Sequence, residues 1–130
     1  METAPAQAFS VGESSATNNV LQFRADGTVY LSGDVIENAS IGELTPQADQ
    51  HEFIVRTGPD ADNVVARFSP EEGGTLYLKG TVYPADANLT ADPNLREFVV
   101  KANGVVQSLI DQNGNLKRRG SFWRLNEPLP

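Results

Sequence analysis

The sequence predicts an all-β fold of repeated three-strand meanders, arranged as a β-sandwich or a short solenoid-like array. Three observations carry this. The segment GTLYLKGTVY, Gly74 to Tyr83, has two relatives, GTVYLSGDVI from Gly27 to Ile36 and GNLKRRGSFW from Gly114 to Trp123, each with a second glycine six positions after the first. Side chains within the copies alternate in character, as a strand with one buried face requires. Turn residues are abundant, with 11 Gly and 8 Pro, and no segment carries apolar residues at helical spacing over the roughly ten residues a helix needs.

Residues 1–19 form a leader rich in Ala, Ser, Thr, Asn and Gln, with one alternating patch from Ala6 to Val11. It is read as flexible or as a strand donated to another subunit's sheet edge, with completion of its own sheet as the alternative. Residues 20–130 form a single β-domain with three related units. The first, 20–36, is partial: Val20 to Phe23 and Thr28 to Ile36, joined through Asp26-Gly27, a hairpin signal because glycine accepts positive φ. Connector 37–52 holds little that is apolar, and its Ile41 and Leu44 are expected to tack it to the core. The second unit, 53–83, has strands from Phe53 to Arg56, Val64 to Phe68 and Thr75 to Tyr83. After connector 84–97 the third unit, 98–123, repeats the plan with Phe98 to Lys101, Val105 to Ile110 and Asn115 to Trp123. The first unit is read as lacking its opening strand, and an open sheet edge is a template for pairing.

Aligning the third strands separates two faces. Val29, Leu76 and Leu116, then Leu31, Leu78 and Arg118, then Val35, Val82 and Phe122 share the face expected to be core, leaving a charge in the third copy where the others have leucine. Tyr30, Tyr77 and Lys117 begin the opposite face, which ends on Ile36, Tyr83 and Trp123. The recurrent second glycine on the core face implies a bulge, a bend or close approach of another backbone.

Composition excludes several classes of function. The chain has no cysteine, so disulfides, thiol catalysis and cysteine-held metals are ruled out. A net charge of −7 argues against nucleic acid as a partner, because phosphate backbones are bound by clustered cations. The charge is uneven: residues 1–95 hold 14 acidic and 4 basic side chains, residues 96–130 hold 3 acidic and 6 basic. No run approaches the roughly 20 apolar residues of a membrane-spanning helix, so no membrane insertion is expected. The first residues lack a basic and apolar leader pattern, and are read as those of a mature chain bearing an added Met or of a protein made without a leader.

The run FVVKANGVVQSLIDQNGNLKRRGSFW resembles a β-rich repeat of secreted and surface proteins of archaea and bacteria and of phage fibre-like proteins. Phe98, Val99, Val100, Lys101, Val106, Ile110, Asp111, Gly114, Asn115, Leu116 and Gly120 carry the resemblance, and Phe53, Val55, Arg56, Val64, Val65, Ala66, Gly74, Leu76, Tyr77, Leu78, Lys79 and Gly80 carry it in the second unit. It implies a non-enzymatic, surface-exposed building block. The third copy departs from it at Lys117-Arg118-Arg119.

Candidate chemistry is sparse. The runs 111–115 and 60–63 gather oxygen ligands, but glycine falls where a Ca²⁺ loop does not have it and the twelfth-position acid is missing. Turn chemistry explains both, so no cofactor is expected and Ca²⁺ is the one alternative. His51 stands alone in a polar connector, and Glu71-Glu72 read as a solvated turn. Asn38 and Asn88 head sequons in connectors, sites for glycosylation where the host has the machinery. Lys117, Arg118, Arg119, Trp123 and Arg124 form the one basic-aromatic cluster, read as a protein interface, a glycan platform or a blunted sheet edge. Together with Ala8, Phe9 and Val11 of the leader they make the expected assembly interface. The expected function is a structural subunit of an extracellular filament or surface appendage, located outside the cell or on a virion, pairing head to tail with copies of itself as a polymer, with a closed homo-oligomer such as a trimer, or a monomer, as the alternatives. A carbohydrate-binding or adhesion module, or a phage fibre domain, is the alternative.

Overall fold

The computed structural model describes residues 7–12, 20–46, 53–60, 63–69, 74–92 and 98–124, with backbone only for 7–12, 20, 123 and 124. Eleven strands are present among the described residues: β1 (Gln7–Gly12), β2 (Val20–Arg24), β3 (Val29–Leu31), β4 (Val35–Ile36), β5 (Phe53–Arg56), β6 (Val64–Ser69), β7 (Thr75–Leu78), β8 (Phe98–Ala102), β9 (Val105–Ile110), β10 (Leu116–Arg118) and β11 (Phe122–Arg124). The all-β class and the meanders are as the sequence predicts. Each unit owns an antiparallel meander, β1-β2-β3, β5-β6-β7 or β8-β9-β10.

The arrangement of the units is cyclic. After its second glycine, each third strand leaves its own sheet and pairs in parallel with the third strand of the next unit. Val35 stands opposite Leu76, Val82 opposite Leu116, and Phe122 opposite Val29. One hydrogen bond recurs at all three places: Leu76 N donates to Asp34 O at 2.8 Å, Leu116 N to Thr81 O at 3.0 Å, and Val29 N to Ser121 O at 2.9 Å. The third unit therefore closes onto the first.

Close backbone approach, one of the three readings the sequence left open, explains two of the three second glycines, Gly80 and Gly120. Gly80 N donates to Gly114 O, and Gly120 N to Gly27 O. A Cβ on Gly120 would sit 2.8 Å from Thr28 N and 2.9 Å from Gly27 C, and one on Gly80 would sit 2.9 Å from Asn113 O. Gly27 and Gly114 also hold positive φ, 89° and 78°, which side-chain-bearing residues adopt at a cost.

One core fills the interior, with residues from every unit. Phe23, Phe68 and Ile110 pair with Val29, Leu76 and Leu116, all fully buried. Phe53 and Phe98 pack on this layer, with ring centroids 4.9 Å apart and 6.4 and 5.3 Å from Phe23.

The first unit is not short of a strand. β1 supplies it: Phe9 pairs with Phe23 and Val11 with Leu21, as Phe53 pairs with Phe68 and Val55 with Ala66. Phe9-Ser10-Val11 is thus the third F-x-V, and Phe9 precedes its partner by 14 residues, against 15 for Phe53 and 12 for Phe98. The polar residues around it hide the pattern.

The sequence reading also held no helix, and one turn is present, α1 (Ile41–Leu44). It forms by capping rather than periodicity: Glu43 N donates to Ser40 Oγ at 3.2 Å, and Ser40 N to Glu43 Oε1 at 2.9 Å. Leu44 is buried and tacks the connector down, while Ile41 is 67% exposed. Buried Arg67 on β6 donates to Glu43 O at 2.8 Å.

The glycine account makes a direct prediction for chemical denaturation. Gly120→Ala loses about 1–3 kcal/mol, an overpacking cost, because every atom near the new methyl is backbone. Gly42→Ala, whose nearest neighbour is 3.9 Å away, stays within about 1 kcal/mol of the parent.

Candidate functional site

The basic cluster of the third unit is turned largely onto its own chain. Arg118 lies on β10 opposite Ser108, in the layer where the other units pair Leu31 with Leu21 and Leu78 with Ala66. It is only 9% exposed. Its Nη1 donates to Tyr83 O, and its guanidinium lies 5.5 Å from the centre of the Phe122 ring. Burial pushes its pKa down from the ordinary arginine value. Arg118 Nε and Ser108 Oγ are buried without hydrogen-bond partners, which weakens this layer.

Arg119 faces the other way and clamps the second connector. It donates through Nε to Val106 O, through Nη1 to Ala87 O, and through Nη2 to Leu89 O at 2.9 Å. Buried Leu89 anchors the same stretch. The connector continues the parallel track, with Asp86 N donating to Arg118 O at 2.9 Å. It then folds back because Asp86 Oδ1 accepts from Asn88 N at 2.9 Å, a turn that aspartate side chains promote.

This arch and β10 enclose an open pocket of about 510 Å³. Tyr83 and Lys117 form one side, and Asp86, Asn88 and Thr90 line the connector. Lys117 Nζ lies 4.9 Å from the centre of the Tyr83 ring and 3.4 Å from Asp111 Oδ2.

Asp111 is the buried acid behind the pocket. Its Oδ1 accepts from Asn113 N and Asn115 N, both at 2.9 Å, and its Oδ2 from Asn115 Nδ2 at 3.1 Å. Burial pushes its carboxyl up, but the bonds from Asn115, Asn113 and Lys117 outweigh that and hold it below the ordinary aspartate value. Asn115 Oδ1 accepts from Thr81 N at 3.0 Å, so the 111–115 run works as a turn that also ties two units together. Among the described residues, no group of three or more His, Asp or Glu side chains is placed to hold a metal ion.

The remaining expected site residues fall in separate places. Ala8, Phe9 and Val11 lie on β1 at one edge of the first sheet, and Trp123 and Arg124 on β11 at its opposite edge, in the order β1-β2-β3-β11. Their side chains are outside the described residues, as are His51, Asp62, Glu71 and Glu72. Asn38 and Asn88 are both exposed. Asn38 has φ of 54° and donates its N–H to Gly80 O, whereas Asn88 lines the pocket. Sequence reasoning named Asn88 for its sequon and Lys117 for its charge but missed the pocket, which depends on contacts across some 30 residues. No family model matches the chain, and comparison with curated proteins and with solved structures returned no match.

Two predictions follow from these environments. A depressed folded pKa contributes stability above the unfolded pKa and loses it as pH falls through the folded one. The parent therefore loses stability as pH drops below about 4, and Asp111→Asn, less stable at neutral pH, shows a smaller acid loss in denaturant titrations. The double variant Ser108→Ala, Arg118→Leu restores the apolar pairing of the other units and gains about 1 kcal/mol, because two unsatisfied groups leave the interior.

Proposed function

We propose that this chain is a structural subunit that joins copies of itself by β-pairing, as a building block of an extracellular filament or surface appendage. The observation that supports this reading is the position of β1. Among the described residues it lies at a sheet edge, paired with β2 along the register from Gln7–Arg24 to Gly12–Val20. Backbone pairing of this kind is the same in cis and in trans. An edge strand paired on one side can be exchanged between copies, which is a low-cost route to assembly. Exchange from each copy to the next leaves one acceptor edge and one donor strand free at the ends, and the array grows head to tail.

The absence of cysteine provides a clean test. Ser10 and Gln22 are directly opposite in the β1-β2 register. Mixed under mild oxidation at high protein concentration, Ser10→Cys and Gln22→Cys single variants yield covalent heterodimers and larger ladders when a Gln22→Cys, Ser10→Cys double variant is included. The double variant, locked in cis before concentration, stays monomeric, and the parent shows polymers in negative-stain images. Monomeric parent at high concentration, with no cross-link between the single variants, contradicts the proposal.

A further inference from the structure

The pocket under the second connector has a chemistry of its own, independent of strand exchange. Tyr83 is 42% exposed. Its backbone is fixed on both sides: its N–H donates to Leu116 O at 2.9 Å and its carbonyl accepts from Arg118 Nη1. The ring is thus a part-exposed flat surface on a rigid support, with the Lys117 ammonium over one face. Around it the connector places a carboxylate, a carboxamide and a hydroxyl, from Asp86, Asn88 and Thr90. The loop that carries them is held by Arg119 and by buried Leu89, so these groups are arranged before a ligand arrives, which lowers the ordering cost of binding.

An aromatic face beside planar oxygen and nitrogen groups suits a molecule with an apolar C–H face and a rim of hydroxyls. The charges narrow the class. The ammonium in the pocket, Lys117, already lies 3.4 Å from Asp111 Oδ2 and against the Tyr83 ring, while Asp86 is exposed and negative. An anionic ligand would meet a cation already neutralised and an acid that repels it. We infer that this pocket binds a neutral saccharide, with a sugar ring stacked on Tyr83 and its hydroxyls bonded by Asp86, Asn88 and Thr90.

The test is an amide chemical-shift titration of the full chain with four neutral oligosaccharides, cellohexaose, maltohexaose, mannohexaose and chitohexaose. Each is taken to roughly 10 mM, well above the roughly millimolar Kd that a small open site gives. At least one shifts the amides of residues 85–90 and Lys117 together and saturably. Tyr83→Ala weakens that binding about ten-fold or more, equivalent to roughly 1.4 kcal/mol, and Asn88→Ala weakens it as well. Tyr83→Phe, which keeps the ring, retains it. Unperturbed amides elsewhere in each variant show that the fold is intact, including where Tyr83→Ala removes the Lys117 contact. Absence of saturable shifts at these amides with all four sugars overturns the inference, as does binding that is indifferent to both Tyr83→Ala and Asn88→Ala. A preference for inorganic phosphate over every neutral sugar, titrated in parallel, overturns it too.

Discussion

The fold depends on one contact made between units: a strand that has finished with its own sheet passes its neighbour's strand so closely that neither can carry a side chain at the crossing. Gly80 meets Gly114 there, and Gly120 meets Gly27. Past each crossing the chain runs parallel to the next unit's third strand and brings Val35, Val82 or Phe122 against the common core. A three-stranded meander alone has one apolar face and nothing to cover it. Three meanders linked in this way cover one another, which is how a chain without cysteine buries a continuous interior from short strands.

The third unit departs from this plan, and the departure shapes the surface. Where its relatives have a second leucine layer, it has Ser108 and Arg118, and the charge reaches out to Tyr83 O instead of completing the core. Arg119 captures two connector carbonyls beside it. The first connector is treated alike, with Arg67 on Glu43 O and Leu44 buried. In both connectors an arginine satisfies carbonyls that a helix or sheet would otherwise bond, and a single leucine supplies the apolar anchor. Asp86 turns the second connector back into an arch, and the pocket lies beneath it.

Much of this was legible in the residues. Alternation along the third strands places Val29, Leu76 and Leu116 in the core, and so the structure has them. The spaced glycines left a bulge, a bend or close backbone approach open, since a local pattern does not encode which backbones from different units meet. Ser40-x-x-Glu43 was a readable helix start that a search for apolar periodicity passes over. The alternation from Ala6 to Val11 reads as a strand that could complete its own sheet or another's, but the polar residues around Phe9-Ser10-Val11 hide its match to the opening strands of the other units. The run Lys117-Arg118-Arg119 looked like a surface patch on charge alone. Alternation had already put Arg118 inward, and what could not be read was that distant carbonyls wait for both arginines. The pocket is the least legible feature, because its two sides come from segments joined only by those contacts.

Cyclic closure rests on the seam between the third unit and the first, which no covalent connection crosses. Native-state hydrogen exchange reads that seam at single amides. Val29, Leu76 and Leu116 each donate to the preceding unit, at 2.9, 2.8 and 3.0 Å. If the ring is closed, the three amides exchange with comparable opening free energies, near that of global unfolding. Val29 exchanging far faster than Leu76 and Leu116 contradicts it, because the first and third units would then be the two ends of an open array.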